Sequence, residues 1–326
     1  MPAGKEKILF ITSNRIGDAM LSTGLLDHLV HQYRESEVTV ACGPAAVPLF
    51  TDAVNVNRVL PMTKQKISGH WLKLWKEVVA THWDIVVDLR ASAIAWLLLA
   101  DKRYVLDTAK SAEPVHRVIQ LAQLMELDPP PNPRVWLSKE TRAAGTDHIP
   151  KGGFVLALGP TANWTGKQWP ADRFAEAALR LTSPGAFLEG ARFAVFGGPG
   201  EEEMAAPLIA ALPADKTFNL IGKIDVATAA ACLTQCSYFI GNDSGLMHIA
   251  ASVGVPTLGL FGPSREEHYA PWGMFGKALR TPESYDEIVG VENYDFSATA
   301  PSHMGSLTVD MVVEAAESHF NGVFGG

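Results

Sequence analysis

Apolar residues fall along this chain in short runs that alternate with longer amphipathic stretches. In the first half the runs read KILFIT (7–12), EVTVAC (37–42), RVLPM (58–62), DIVVDL (84–89) and RYVLD (103–107). In the second they read FVLALG (154–159), RFAVFGG (192–198), TFNLIG (217–222), YFIGN (238–242) and TLGLFG (257–262). Several are unbroken Val, Ile, Leu and Phe, the pattern of parallel strands covered on both faces. Helical spacing marks AMLSTGLLDHLVHQY (19–33), ADRFAEAALRLTS (171–183) and SLTVDMVVEAAESHF (306–320). Strand–helix alternation of this kind predicts a doubly wound α/β fold. The proline cluster at the head of 128-DPPPNPRVWLSKETRAAGTDHIPKGG-153 suits an extended linker over about 128–152. The reading is therefore two Rossmann-like domains, 1–150 and 151–326, with the helix at 306–320 expected to pack back on the first. Such sheets bind ligands beyond the carboxyl ends of their strands, so the two domains are expected to face a central cleft.

Composition narrows the partners. At 326 residues and 47% hydrophobic, the chain has core enough for two domains. A net charge of −8 argues against a general nucleic-acid binder. The imbalance lies in the second half, where 10 bases face 19 acids, against 17 and 16 in residues 1–150. In that near-neutral half, Lys64, Lys66, Lys73, Lys76, Arg90, Lys102, Arg103, Lys110 and Arg117 offer a basic face toward an anionic partner, although each alone reads as solvated surface. No apolar run approaches the roughly 20 residues of a membrane span. The start, MPAGKEKILFITS, lacks the long apolar stretch of a signal peptide. Cys42, Cys232 and Cys236 are scattered and read as buried free thiols rather than zinc ligands. A cytoplasmic protein is expected.

The chemistry gathers where strands give way to helices. In 241-GNDSGLMHIAASVGVPTLGLFGPS-264, a strand ends in a turn with two glycines and a small-residue helix opens near Leu246. Free backbone N–H groups at Ser244, Gly245 and Leu246, with the helix dipole behind them, suit a phosphate. Ser244 adds a hydroxyl and His248 lies in the first turn; Asp243 would repel a phosphate and suits sugar or ribose hydroxyls. The plainer alternative is that Asp243 or Ser244 only caps the helix.

Three other stretches lie at corresponding places. In 159-GPTANWTGKQWPADRF-174, Lys167 supplies a mobile point charge for a phosphate and Thr161, Asn163 and Thr165 add donors, unless the lysine is an ordinary loop residue. In 11-ITSNRIGDAMLSTGLL-26 the dinucleotide fingerprint G-x-G-x-x-G is absent, and Asp18 is either an N-cap to a helix from about Ala19 or a general base. In 196-FGGPGEEEMAAPL-208 the acids Glu201, Glu202 and Glu203 suit ribose hydroxyls or simply a first helical turn, and the backbone near Ile224 can pair with a base.

Together these motifs resemble glycosyltransferase family 9, the lipopolysaccharide heptosyltransferases. The match rests on R-I-G-D at 15–18, T-G-K-x-W-P at 165–170, G-G-P-G-E at 197–201, G-N-D-S-G-x-M-H-x-A-A at 241–251, G-V-P-T at 254–257 and F-G-P-S at 261–264. It implies a GT-B fold and metal-independent, inverting transfer with no cofactor; no D-x-D occurs in the chain. By the resemblance, the second domain binds a nucleotide-sugar donor, typically ADP-heptose, through Thr161, Asn163, Lys167, Glu202, Ile224, Asp243, Ser244, Gly245, Leu246 and His248. The first binds a lipid-linked or saccharide acceptor at the inner membrane through Arg15, Gly17 and Arg90, the enzyme being cytoplasmic or peripheral on that membrane's cytoplasmic face. Asp18 takes the role of base, Lys167 sits at the diphosphate, and Asp243 lies near the donor sugar or ribose. The family often carries cysteines after F-G-P-[ST]; 281–305 has none here and stays unassigned. Two alternatives remain from the residues: a nucleotide-sugar epimerase or hydrolase on the same fold, and a non-catalytic nucleotide-sugar-binding protein.

Overall fold

The computed structural model describes residues 5–65, 69–107, 113–291 and 301–324. Lys66 and Lys110 of the expected basic face, and residues 292–300 of the unassigned segment, lie outside the described residues. The chain divides into two compact units, Met1–Ser138 and Lys139–Gly326. The first runs β1 (Lys7–Ile11), α1 (Ile16–Gln32), β2 (Glu37–Cys42), α2 (Pro48–Thr51), β3 (Val56–Pro61), α3 (Gly69–Val78), β4 (Trp83–Asp88), β5 (Ala100–Val105) and α4 (Arg117–Gln123). The second opens with α5 (Lys139–His148), β6 (Val155–Gly159), α6 (Ala171–Leu181), β7 (Arg192–Val195), α7 (Glu202–Ala211), β8 (Thr217–Asn219) and α8 (Val226–Leu233). It continues through β9 (Tyr238–Asn242), α9 (Gly245–Ser252), β10 (Thr257–Phe261), α10 (Glu266–Tyr269), β11 (Gly276–Arg280), α11 (Tyr285–Val289) and α12 (Val309–Phe324).

All ten predicted strands form. The first sheet has the order β3-β2-β1-β4-β5 and the second β11-β10-β9-β6-β7-β8, parallel throughout. From β6 outward the second sheet thus repeats the doubly wound plan of the first, as the uninterrupted apolar runs predicted. Central strands β6, β9 and β10 are buried at every residue. The eleventh strand, β11, escaped the sequence reading. It is an edge strand, half-buried along its length and carrying Lys277 and Arg280.

The linker expectation needs correction at both ends. Pro131 and Asn132 lie against α1 at Gly24, where a side chain's first carbon would stand 2.5 Å from the Pro131 oxygen. The Arg134 amide donates to Thr23 Oγ1 (2.8 Å), and Ser138 N donates to Asp52 (2.8 Å). This stretch is part of the first unit. The residues expected to finish the linker instead form α5, which packs on α8 in the second unit. Gly145 makes that approach possible, since a side chain's first carbon there would meet the Ala231 carbonyl carbon at 2.6 Å. The boundary therefore falls at 138/139 rather than 150/151.

The closing helix α12 sinks Val312, Val313 and Ala316 into the second unit's core beside α6. Leu181 and Phe174 of α6 line the same cluster, and each such side chain contributes about 1.5–3 kcal/mol on full burial. Cys42 and Cys232 are buried and Cys236 half-buried, all as free thiols.

Candidate functional site

At the carboxyl edge of the first sheet, the turn after β1 is fastened to its neighbour. Thr12 N donates to Ala41 O (2.8 Å) and Gly43 N to Ser13 O (3.1 Å). α1 starts three residues before the predicted Ala19. Its N-cap is Arg15, extended in backbone and giving no side-chain cap. Asp18 is the helix's third residue, so the reading of Asp18 as an N-cap fails. Its carboxylate is half-buried and accepts from Ser13 Oγ (3.3 Å). Arg15 is exposed and Gly17 half-buried in the first turn.

The adjacent strand ends in a carboxylate that the sequence reading passed over. Asp88 pairs across the sheet with Ile11 and is fully buried. It accepts from Arg90 N (2.8 Å), Ser92 N (2.8 Å) and Ser92 Oγ (2.6 Å). Burial pushes its carboxyl above the ordinary value, while Ser92 and Arg90 draw it back. The turn so fixed sets the half-buried Arg90 over the Trp71 ring, 5.7 Å from its centroid.

The second edge is built on a cation. Lys167 closes a short 3-10 turn, Thr165–Lys167, and its Nζ lies 2.6 Å from Asp243 Oδ2. The two side chains are 23% and 7% exposed, so this is a partly buried ion pair rather than a surface one. Asn242 fixes the loop that carries the lysine. Its Nδ2 donates to Pro160 O (2.7 Å), and its Oδ1 accepts from Trp169 N (3.0 Å). Residues 302–307 brace the same loop from outside. Ser302 Oγ donates to Gln168 O (2.5 Å), His303 N to Gly166 O (3.0 Å) and Trp169 Nε1 to Leu307 O (2.9 Å).

Ser244 is the N-cap residue of α9, but its side chain makes no cap hydrogen bond. Among the described residues its Oγ is buried without a partner, as is Ser264 Oγ just beyond β10, a residue not singled out from sequence. No acid occupies the first turn of α9. Gly245 and Leu246 open the helix half-buried, and His248 is buried with its ring 6.4 Å from that of Tyr269. The result is a positive helix end, a lysine and unsatisfied hydroxyls at one sheet edge, the chemistry of an anion site.

The remaining donor candidates are less concentrated. Thr161 is buried, and its hydroxyl is given to Glu201 Oε2 (2.5 Å), which also accepts from Gly198 N (2.7 Å). Asn163 is exposed on the loop. Glu202 is exposed at the head of α7, over Gly222, and Ile224 is half-buried just before Asp225, the N-cap of α8. Among the described residues, no group of three or more His, Cys, Asp or Glu gathers to hold a metal.

Residues 71–289, more than half of the chain, match the family model for glycosyltransferase family 9 (heptosyltransferase). Lipopolysaccharide heptosyltransferase 2 of Salmonella typhimurium is 26% identical over 324 residues, spanning 86% of this chain and 90% of that protein. Of solved structures, a family 9 glycosyltransferase from Veillonella parvula superimposes with a TM-score of 0.78, at 22% identity and 98% coverage of both chains. The ADP-heptose lipopolysaccharide heptosyltransferase II of E. coli does so with a TM-score of 0.74, at 23% identity, covering 97% of this chain and 99% of that one.

Proposed function

Because the chain belongs to glycosyltransferase family 9, the heptosyltransferases, we propose that it transfers heptose from ADP-heptose to a saccharide of the lipopolysaccharide core. In this reading the reaction inverts the anomeric centre, needs no metal, and takes place at the cytoplasmic face of the inner membrane. The observation that carries it is the pairing of Lys167 with Asp243 beside the uncapped start of α9.

The chemistry divides between the units. Asp18 accepts the proton of the acceptor hydroxyl, whose oxygen forms a bond to the anomeric carbon as the bond to ADP breaks. Negative charge then grows on the departing diphosphate. Lys167 has three N–H donors and gives one to Asp243, leaving two for phosphate oxygens. The amides opening α9 and the Ser244 hydroxyl supply further donors, already oriented before the donor arrives. Asp243 aims the ammonium and keeps its second oxygen for sugar or ribose hydroxyls. Arg90, steadied by Trp71 and the Asp88 turn, offers a cation to an acidic acceptor sugar.

The test is a transfer assay with ADP-heptose and a core oligosaccharide, with and without EDTA, followed by NMR of the product. Transfer undiminished by EDTA, with the anomeric configuration opposite to the donor's, is expected. Retention of configuration, loss of transfer in EDTA, or product from donor alone would overturn this reading.

A further inference from the structure

The first unit carries an apolar projection that the transfer chemistry does not use. Between β4 and β5 the chain makes a short 3-10 turn, Ala93–Trp96, and continues outward through Leu99. Trp96, Leu97 and Leu99 are 68%, 62% and 70% exposed. Their exposure is held in place, because Arg103 grips the turn from below. Its Nε donates to Ala95 O (2.8 Å), Nη1 to Ala100 O (2.8 Å) and Nη2 to Leu98 O (2.7 Å). Ile94, Ala95 and Leu98 are buried beneath it. Arg103 is thereby removed from the expected basic face and becomes the clamp of an apolar one. A turn anchored this firmly, with three large apolar side chains turned to water, marks a contact surface.

Charge identifies what the surface meets. α3 packs on the same apolar cluster through Leu74 and Val78, and it exposes Leu72 together with Lys73 and Lys76. Of the nearby acids, Glu77 pairs with Arg58, and Asp101 lies 2.9 Å from His82 Nε2. With Glu77 paired, Lys73 and Lys76 leave the outer face of α3 positive beside the turn. A second copy of this chain would set those lysines against their own kind, which disfavours self-association. An anionic bilayer surface satisfies both features, taking Trp and Leu at its interface and the lysines among its headgroups.

We propose that the Trp96–Leu99 turn, flanked by Lys73 and Lys76 of α3, docks the protein on anionic lipid. The purpose of the docking, though not its physics, rests on the reading above of a membrane-borne acceptor. Trp83 N donates to Leu99 O (2.9 Å), so the turn lies at the amino end of β4, whereas Asp88 ends the same strand beside Asp18's edge. A six-residue strand separates them, roughly 20 Å. Docking there brings to Asp18 a sugar that stands off the headgroups, not one flush with them.

Vesicle co-sedimentation tests the proposal on the intact chain, using phosphatidylcholine vesicles with and without phosphatidylglycerol. The wild type is expected to bind the anionic vesicles and largely ignore the neutral ones, with binding falling as salt rises. Trp96→Ser, Leu97→Ser and Leu99→Ser together are expected to weaken binding at least about tenfold, and Lys73→Glu with Lys76→Glu to weaken it on anionic vesicles. The triple variant should keep wild-type transfer to a lipid-free oligosaccharide, and Asp18→Asn should keep wild-type vesicle binding. Wild type that stays in the supernatant, or a triple variant that binds as before, overturns the docking surface. So does a wild-type dimer that becomes a monomer in the triple variant. Normal transfer by Asp18→Asn, by contrast, strikes the proposed function and leaves the docking surface standing.

Discussion

The carboxyl edges of the two sheets are built on one plan and carry opposite chemistry. Each has a helix that opens from an extended N-cap residue whose side chain does not cap it, Arg15 before α1 and Ser244 before α9. In α1 the first turn holds a carboxylate, Asp18; in α9 it holds none, and a lysine stands next to the strand end that leads into it. A helix's positive end attracts whichever anion is at hand. The first helix supplies its own, the carboxylate proposed above as the base. The second is free for an anion brought by a ligand. On the proposed reading, the same backbone serves as base holder or phosphate cradle according to one side chain in its first turn.

Breaking the first edge should have the largest effect. Asp18→Asn removes the proposed proton acceptor while keeping the shape, and steady-state kinetics should show turnover lower by about 10²–10⁴-fold. At the second edge, Lys167→Ala should lower kcat/KM by about 10²–10³-fold, the usual cost of one preorganised donor to developing charge. The comparison sharpens at Ser244. Its hydroxyl caps nothing, so Ser244→Ala should leave urea unfolding unchanged and weaken ADP binding by about 2- to 10-fold, one hydrogen bond's worth. Asp225 is the contrast, because it caps α8 by accepting from Thr228 N (2.8 Å). Asp225→Ala should cost about 0.5–2 kcal/mol of stability in the same unfolding experiment.

The smallest effect concerns pH and lies away from both edges. His319 is buried against the Tyr238 hydroxyl (2.8 Å), and burial, with Lys277 nearby, holds its imidazole below the ordinary 6.5. As pH falls through 6.5 the unfolded chain takes up this proton before the folded one does, so stability should decline. Urea midpoints at pH 7.5 and 5.5 should differ less in His319→Gln than in the wild type.

Sequence alone disclosed the strands because each central one is apolar on both faces, which leaves a mark in single residues. It missed β11 and α5 because their burial depends on neighbours distant in the chain: β11 is half-buried at an edge, and α5 rests on a glycine notch against α8. The early start of α1 went unseen for a related reason. Arg15 is an unusual N-cap residue and contributes only its backbone conformation. At the site, the residue types were legible and their partnerships were not. Lys167 and Asp243 are 76 positions apart, and Thr161 and Glu201 are 40 apart, so no local pattern could join them. Thr161 had been read as a ligand donor, yet its hydroxyl is held by Glu201. Ser264 reads in sequence as the end of a motif, and only burial marks its hydroxyl, which has no partner among the described residues.

The division of labour between the edges is tested most directly by calorimetric titration of ADP into the wild type, Asp18→Asn and Lys167→Ala. Affinity should be unchanged in Asp18→Asn and at least about tenfold weaker in Lys167→Ala, as loss of a charge-assisted contact requires. Wild-type affinity in Lys167→Ala, or loss of ADP binding in Asp18→Asn, would contradict the account.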